Sequence, residues 1–195
     1  MKRIGVLGGT FDPIHIGHLV AASEAHSQLA LDQVLFIPAG TPWQKSERDI
    51  TPGNIRLELL NLAVARDDRF SVSDIEIKRE GPSYSIDTFD ELMDLDPAAN
   101  FICLVGADVV SKIPTWHRWQ DFVKKVSIAV VSRSGIAVGE LPFAVTEVPI
   151  PEVAISASTL RQRYAAGEPT RYLIPDSVDE YIRTHGLYGA GQDEF

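Results

Sequence analysis

The sequence predicts an α/β fold built on a doubly wound, mostly parallel sheet, with a helical carboxyl-terminal part. Three observations carry that reading. Short apolar runs of strand length alternate with segments of helical period, and strands separated by helices imply parallel neighbours with helices on both sheet faces. The first apolar run stops at a glycine pair just before a helix, the arrangement found at the carboxyl edge of Rossmann-like sheets. The chain has 195 residues, 45% of them hydrophobic, enough to cover both faces of a sheet.

Taken in order, Ile4 to Leu7 is a buried strand, and Leu19, Val20, Ser23 and the alanines that follow mark the first helix. Val34 to Ile37 is the second strand. Thr51-Pro52 opens a helix in an N-cap and N1 pattern, with Ile55, Leu59, Leu62 and Ala63 on its buried face. Phe70 to Val72 begins an extended segment, Ile86, Phe89 and Met93 mark a helix, and Phe101 to Val105, Ser127 to Val131 and Ala144 to Val148 supply three further strands. Near the end, Ser177 and Glu180 have capping-box spacing, and Val178, Tyr181 and Ile182 form a buried face. The expected organisation is one domain over 1–195, its helical part spanning 156–188, with a frayed tail from Gly189 to Phe195. The Pro- and Gly-rich loops Pro38 to Thr51 and Ser134 to Pro142 are expected to move.

Composition excludes several functions. Lys and Arg number 18 against 27 Asp and Glu, a net charge of −9, which repels phosphate polymers and argues against nucleic-acid binding. No run of about 18 apolar residues occurs, so no membrane-spanning helix is expected. Asp12 and His15 interrupt the apolar start before a signal-peptide core can form, which points to a cytoplasmic protein. The single cysteine, Cys103, lies within Phe101 to Val105 and reads as a small core residue, offering neither a disulfide nor a cysteine zinc site.

The chemistry concentrates in Gly8-Gly9-Thr10-Phe11-Asp12-Pro13-Ile14-His15-Ile16-Gly17-His18, which follows a strand and opens a helix. It matches neither G-x-G-x-x-G nor G-x-x-x-x-G-K-[ST]. Its parts still suit a phosphate ligand. Two glycines let the backbone turn tightly against a ligand, Thr10 offers a hydroxyl, and the helix start offers unpaired N–H groups at the positive dipole end. His15 and His18 share one helical face, and Gly17 between them leaves room for a flat ring or sugar. Further on, Ser156 and Ser158 at a helix start can cap it and bond phosphate oxygens, with Arg161 a forked cation one turn later.

The eleven-residue string resembles the signature of the nucleotidylyltransferase superfamily, the T/HxGH adenylyltransferases and cytidylyltransferases. Ile155-Ser156-Ala157-Ser158-Thr159-Leu160-Arg161 resembles its second signature, with Ser158 where the family usually has Thr. Ile37 to Lys45, Gly81 to Thr88, Gly106-Ala107-Asp108, Pro114 to His117 and Ser132-Arg133 are similar to the corresponding segments of nicotinate mononucleotide adenylyltransferases, across nearly the whole chain.

That resemblance implies transfer of AMP from ATP to nicotinate mononucleotide, releasing pyrophosphate, as a step of NAD synthesis. Catalytic roles are expected for His15, His18, Lys45 and Arg161, and ATP contacts for Gly8, Gly9, Thr10, Gly17, Gly106, Asp108, Ser156 and Ser158. Trp116 is expected to stack on the mononucleotide ring, backbone amides near Tyr84, Ser85 and His117 to take its carboxylate, and Arg133 to bind its phosphate. Mg²⁺ is expected to accompany ATP, held by phosphates and water rather than by protein ligands. Arg48 reads as a solvated charge and Trp119 as a packing residue. Another acceptor, such as nicotinamide mononucleotide or phosphopantetheine, a nucleotide-binding module without turnover, and assembly as a homo-oligomer all stay open at this point.

Overall fold

The computed structural model describes residues 1–40, 50–133 and 139–191, the last of the middle stretch by its backbone alone. Among these, six strands form one sheet in the order β3-β2-β1-β4-β5-β6, with every neighbouring pair parallel. The strands are β1 (Arg3–Gly9), β2 (Gln33–Pro38), β3 (Phe70–Val72), β4 (Asn100–Gly106), β5 (Ser127–Arg133) and β6 (Thr146–Ile150). The helices are α1 (Ile16–Gln28), α2 (Gly53–Val64), α3 (Ile75–Lys78), α4 (Ser85–Leu95), α5 (Ala107–Val110), α6 (Trp119–Lys125), α7 (Ala157–Ala165) and α8 (Asp176–Thr184). Turns of 3₁₀ helix occur at Ile113–Thr115 and Leu187–Gly189. This is the Rossmann-like doubly wound sheet expected.

Alternating strand residues feed two cores. Leu7, Phe36, Leu104 and Val131 face the side covered by α1, α2, α7 and α8, whereas Val6, Ile37, Cys103 and Val130 face the side of α4 and α6. Each fully buried aliphatic side chain here contributes about 1.5–3 kcal/mol relative to exposure. Cys103 is 5% exposed, and desolvation pushes its thiol up to about 12, so it stays protonated at neutral pH.

Packing overrides several local expectations. The buried face of α2 is Arg56, Leu59, Leu60 and Val64, with Ile55, Leu62 and Ala63 only partly covered, a rotation that brings a cation into the interior. The caps also differ. Pro52 rather than Thr51 precedes α2, and Pro175 precedes α8. Ser177 forms no capping box; its hydroxyl donates to the Leu62 carbonyl and ties α8 to α2. Met93 is partly covered while Leu92 takes the buried position, and the sixth strand begins at Thr146 rather than Ala144. Gly189 does not begin a frayed tail, because Ala190 is 3% exposed in the core. Residues 192–195 and the centres of the two loops expected to move, 41–49 and 134–138, lie outside the described residues.

Candidate active site

β1 and β4 lie side by side at the point where the strand order reverses, so their carboxyl ends, Gly8-Gly9 and Gly106, frame a crevice. A cavity of about 290 Å³ opens there. One wall is Gly8, Gly9 and Thr10, and the other carries Tyr84, Ser85, Trp116 and His117, with Gly106 between them. The two glycines of the pair differ in duty. A Cβ at Gly8 would meet open space, leaving the backbone accessible to a ligand, whereas one at Gly9 would press on the Phe11 ring at 3.0 Å.

Within the rest of the first signature, Phe11 to His15 are buried and Ile16 to His18 half-buried. Phe11, in the left-handed region at φ 49°, packs its ring 5.0 Å from that of His18. Asp12 is 2% exposed. Its Oδ1 accepts from the Tyr188 hydroxyl at 2.7 Å, its Oδ2 from the Thr51 amide at 3.5 Å, and Arg161 lies 4.0 Å from Oδ2 while donating to the Asp12 carbonyl. The two signatures therefore meet, although 149 residues separate Asp12 from Arg161.

His15 stands at the N-cap of α1 and its ring stacks on His18 at 3.8 Å. His18 Nδ1 accepts from the His15 amide at 3.2 Å, which leaves Nε2 as its proton-bearing nitrogen when neutral. Burial lowers the His15 pKa to about 4, so at neutral pH it is an uncharged imidazole. The space at Gly17 is used by the protein itself, since a Cβ there would lie 3.1 Å from the His15 ring.

On the second wall, Tyr84 precedes α4 and stacks on His117 at 4.4 Å. The Tyr84 amide donates to the Pro82 carbonyl, so it is not the free carboxylate receptor expected; Ser85, the first residue of α4, carries an amide without an intrahelical partner. Trp116 is half-buried, its ring 5.6 Å from Phe122, and Trp119 packs near Phe143. Beneath them the Glu76 carboxylate accepts from the Thr88 hydroxyl at 2.8 Å, which also receives Arg79 Nη1 at 2.9 Å. Desolvation raises the Glu76 pKa against these hydrogen bonds.

The chain matches the cytidylyltransferase-like family model over residues 6–163. It is 43% identical to a Geobacillus thermodenitrificans protein named "Probable nicotinate-nucleotide adenylyltransferase", over 97% of this chain and 88% of that protein, and 42% identical to a Thermus thermophilus protein of the same name, over 95% and 99%. The chain belongs to this cytidylyltransferase-like family, among the nicotinate-nucleotide adenylyltransferases. Its fold superposes on Plasmodium falciparum nicotinic acid mononucleotide adenylyltransferase complexed with NaAD at a TM-score of 0.83, with 17% identity, over 99% of this chain and 100% of the other.

Of the residues the family resemblance selects, the structure gathers Gly8, Gly9, Thr10, Gly106, Tyr84, Ser85, Trp116 and His117 around one cavity. It joins His15, His18 and Arg161 to the turn beside it. Asp108 is exposed at the start of α5 with Oδ1 2.6 Å from where a Gly106 Cβ would stand, so its carboxylate bends back over the end of β4. Ser156 is the N-cap of α7, accepting from the Thr159 amide at 3.1 Å, and Ser158 is exposed on the first turn. Lys45 and Arg48 lie outside the described residues, and Arg133 ends β5 with its side chain outside them.

Sequence reasoning missed Arg56, Glu76 and Tyr188. Arg56 alone carried a usable signal: it shares a helical face with Leu59 and Leu60, an odd place for a cation. Among the described residues no helix is long and apolar enough to cross a membrane.

Proposed function

We propose that the chain transfers the adenylyl group of ATP to nicotinate mononucleotide, yielding nicotinate adenine dinucleotide and pyrophosphate. The observation that carries this reading is a cavity with a glycine-rich phosphate turn on one wall and an aromatic, helix-capped wall on the other. A mononucleotide phosphate is already ionised at neutral pH, so its oxygen attacks the α-phosphorus of ATP without a general base. The new P–O bond forms as the α–β bridging bond breaks and pyrophosphate leaves. Catalysis then rests on alignment and on donors aimed at the phosphate oxygens.

In this reading His18 Nε2–H and the neutral His15 ring act as hydrogen-bond donors. Positive charge comes from Arg161, whose fork is already docked on the signature turn, and from Lys45. Trp116 stacks on the acceptor ring, the Ser85 amide takes its carboxylate, and Arg133 takes its phosphate.

Mg²⁺ enters with ATP. Among the described residues no three His, Cys, Asp or Glu side chains converge. Both carboxylate oxygens of Asp12 are engaged within the protein. In this reading the ion's ligands are ATP phosphates and water, and no step above is routed through a protein-held metal.

Pyrophosphate release, followed with nicotinate mononucleotide and with nicotinamide mononucleotide, tests the assignment. Faster turnover of the acid is expected. Trp116→Ala should weaken acceptor affinity by about 1–3 kcal/mol, as for base–aromatic stacking, and leave ATP affinity little changed. No release with either acceptor, or a loss confined to ATP, would reject the reading.

A further inference from the structure

Arg56 is 1% exposed, on the first turn of α2, and points its whole fork at backbone carbonyls. Nε donates to Thr51 O at 2.8 Å, Nη1 to Thr10 O at 2.8 Å, and Nη2 to Ala39 O at 2.6 Å and Gly40 O at 3.4 Å. These carbonyls belong to three separate segments: the signature turn, the stretch just beyond β2, and the approach to α2. Gly40 is fixed from the opposite side as well. Its amide donates to Ser83 Oγ at 3.1 Å, and the Glu76 carbonyl occupies the place a Cβ would take. Ser83, Glu76, Thr10 and Ala39 all line the cavity. The guanidinium thus ties the signature turn to the stretch beyond β2, which reaches Ser83, next to the second wall, through the Gly40 amide. A buried cation is expensive, and here it is compensated by charge-assisted bonds and by the field of Asp12. An aliphatic side chain would fill the same volume without that cost but could not hold three loops together.

We propose that Arg56 is a positioning residue for adenylyl transfer, bonding Thr10 of the signature turn and Ala39 and Gly40 just beyond β2, with Gly40 in turn bonded to Ser83 next to the second wall, so that the acceptor phosphate is held in line with ATP. This rests on the functional reading above. Arg56 touches neither substrate in it; it acts through the backbone of the turn and of the stretch beyond β2. Lysine keeps the charge but is a point donor on a flexible stem and cannot span carbonyls on three segments.

The test compares wild type with Arg56→Lys and Arg56→Ala, by turnover at a temperature where circular dichroism shows each variant folded and by hydrogen exchange. For Arg56→Lys, kcat is expected to fall about a hundredfold, the cost of a misalignment near 1 Å, while both KM values move no more than a few-fold. Exchange should rise in residues 10–12 and 50–51 with the strands still protected. Arg56→Ala should regain turnover in millimolar methylguanidinium. A folded Arg56→Lys with wild-type kcat would overturn the proposal. So would exchange that rises uniformly across the sheet, or failure of both variants to fold, each of which makes Arg56 a stability residue only. If wild type itself releases no pyrophosphate, the functional reading fails, and the exchange measurement alone decides whether Arg56 holds the three segments together.

Discussion

His15 shows how one residue's surroundings set its chemistry. With 6% of its surface exposed, it has a pKa of about 4, against an ordinary value of 6.5. Between those two values the unfolded chain binds the proton more readily than the folded one, so the folded state loses stability as pH falls from about 6.5 toward 4 and gains nothing from this group above that window. Urea denaturation across that range should show a slope to which His15 adds up to about 1.4 kcal/mol per pH unit, and His15→Gln should be correspondingly flatter. Identical slopes would mean that the ring is solvated. The same burial makes the residue an uncharged imidazole at neutral pH. Spacing places His15 beside His18, but only its burial at the helix start decides its charge.

At the scale of elements, the 3₁₀ turn Leu187–Gly189 is the least expected contributor. It packs against α7 and α8 and sends Tyr188 to Asp12, a hydrogen bond across 176 residues. Tyr188 adopts φ 58°, ψ 21°, a left-handed conformation that a bulky residue holds only when its surroundings enforce it. Burial and the neighbouring Asp12 carboxylate raise its phenol pKa, so it stays a donor at neutral pH. Tyr188→Phe keeps the ring and removes the hydroxyl, leaving a buried carboxylate one partner short. Urea titration should show a loss of about 1–3 kcal/mol, and turnover should fall because Arg161 shares Asp12. An unchanged midpoint would show that Asp12 needs no partner from this turn. The existence of α2 and α8 is legible in their periodicity, whereas the rotation of α2 is not. Arg56 faces inward because carbonyls of two other segments wait there, and no local pattern records them.

For the whole molecule, a product that spans both walls should stabilise the fold more than either half. By mass action, saturation at about a hundred times the dissociation constant contributes about 2.7 kcal/mol, which in a chain of this size raises Tm by several degrees at about 2–4 °C per kcal/mol. Nicotinate adenine dinucleotide should therefore bind more tightly and give a larger thermal shift than nicotinate mononucleotide or an ATP analogue at equal concentration. A shift with adenine nucleotides and none with the mononucleotide, at any concentration, would remove the acceptor wall from the site.

The sequence by itself determined the parallel sheet and the place of the signature turn at its carboxyl edge, because side-chain periodicity and a glycine pair between strand and helix are local properties. The tertiary structure alone decided which charges are interior. Arg56 and Thr10 are 46 residues apart, and Asp12 bonds across still longer separations. Desolvation and hydrogen bonding depend on what the folded chain brings alongside a group, and neighbours so distant in sequence leave no mark on the pattern around it.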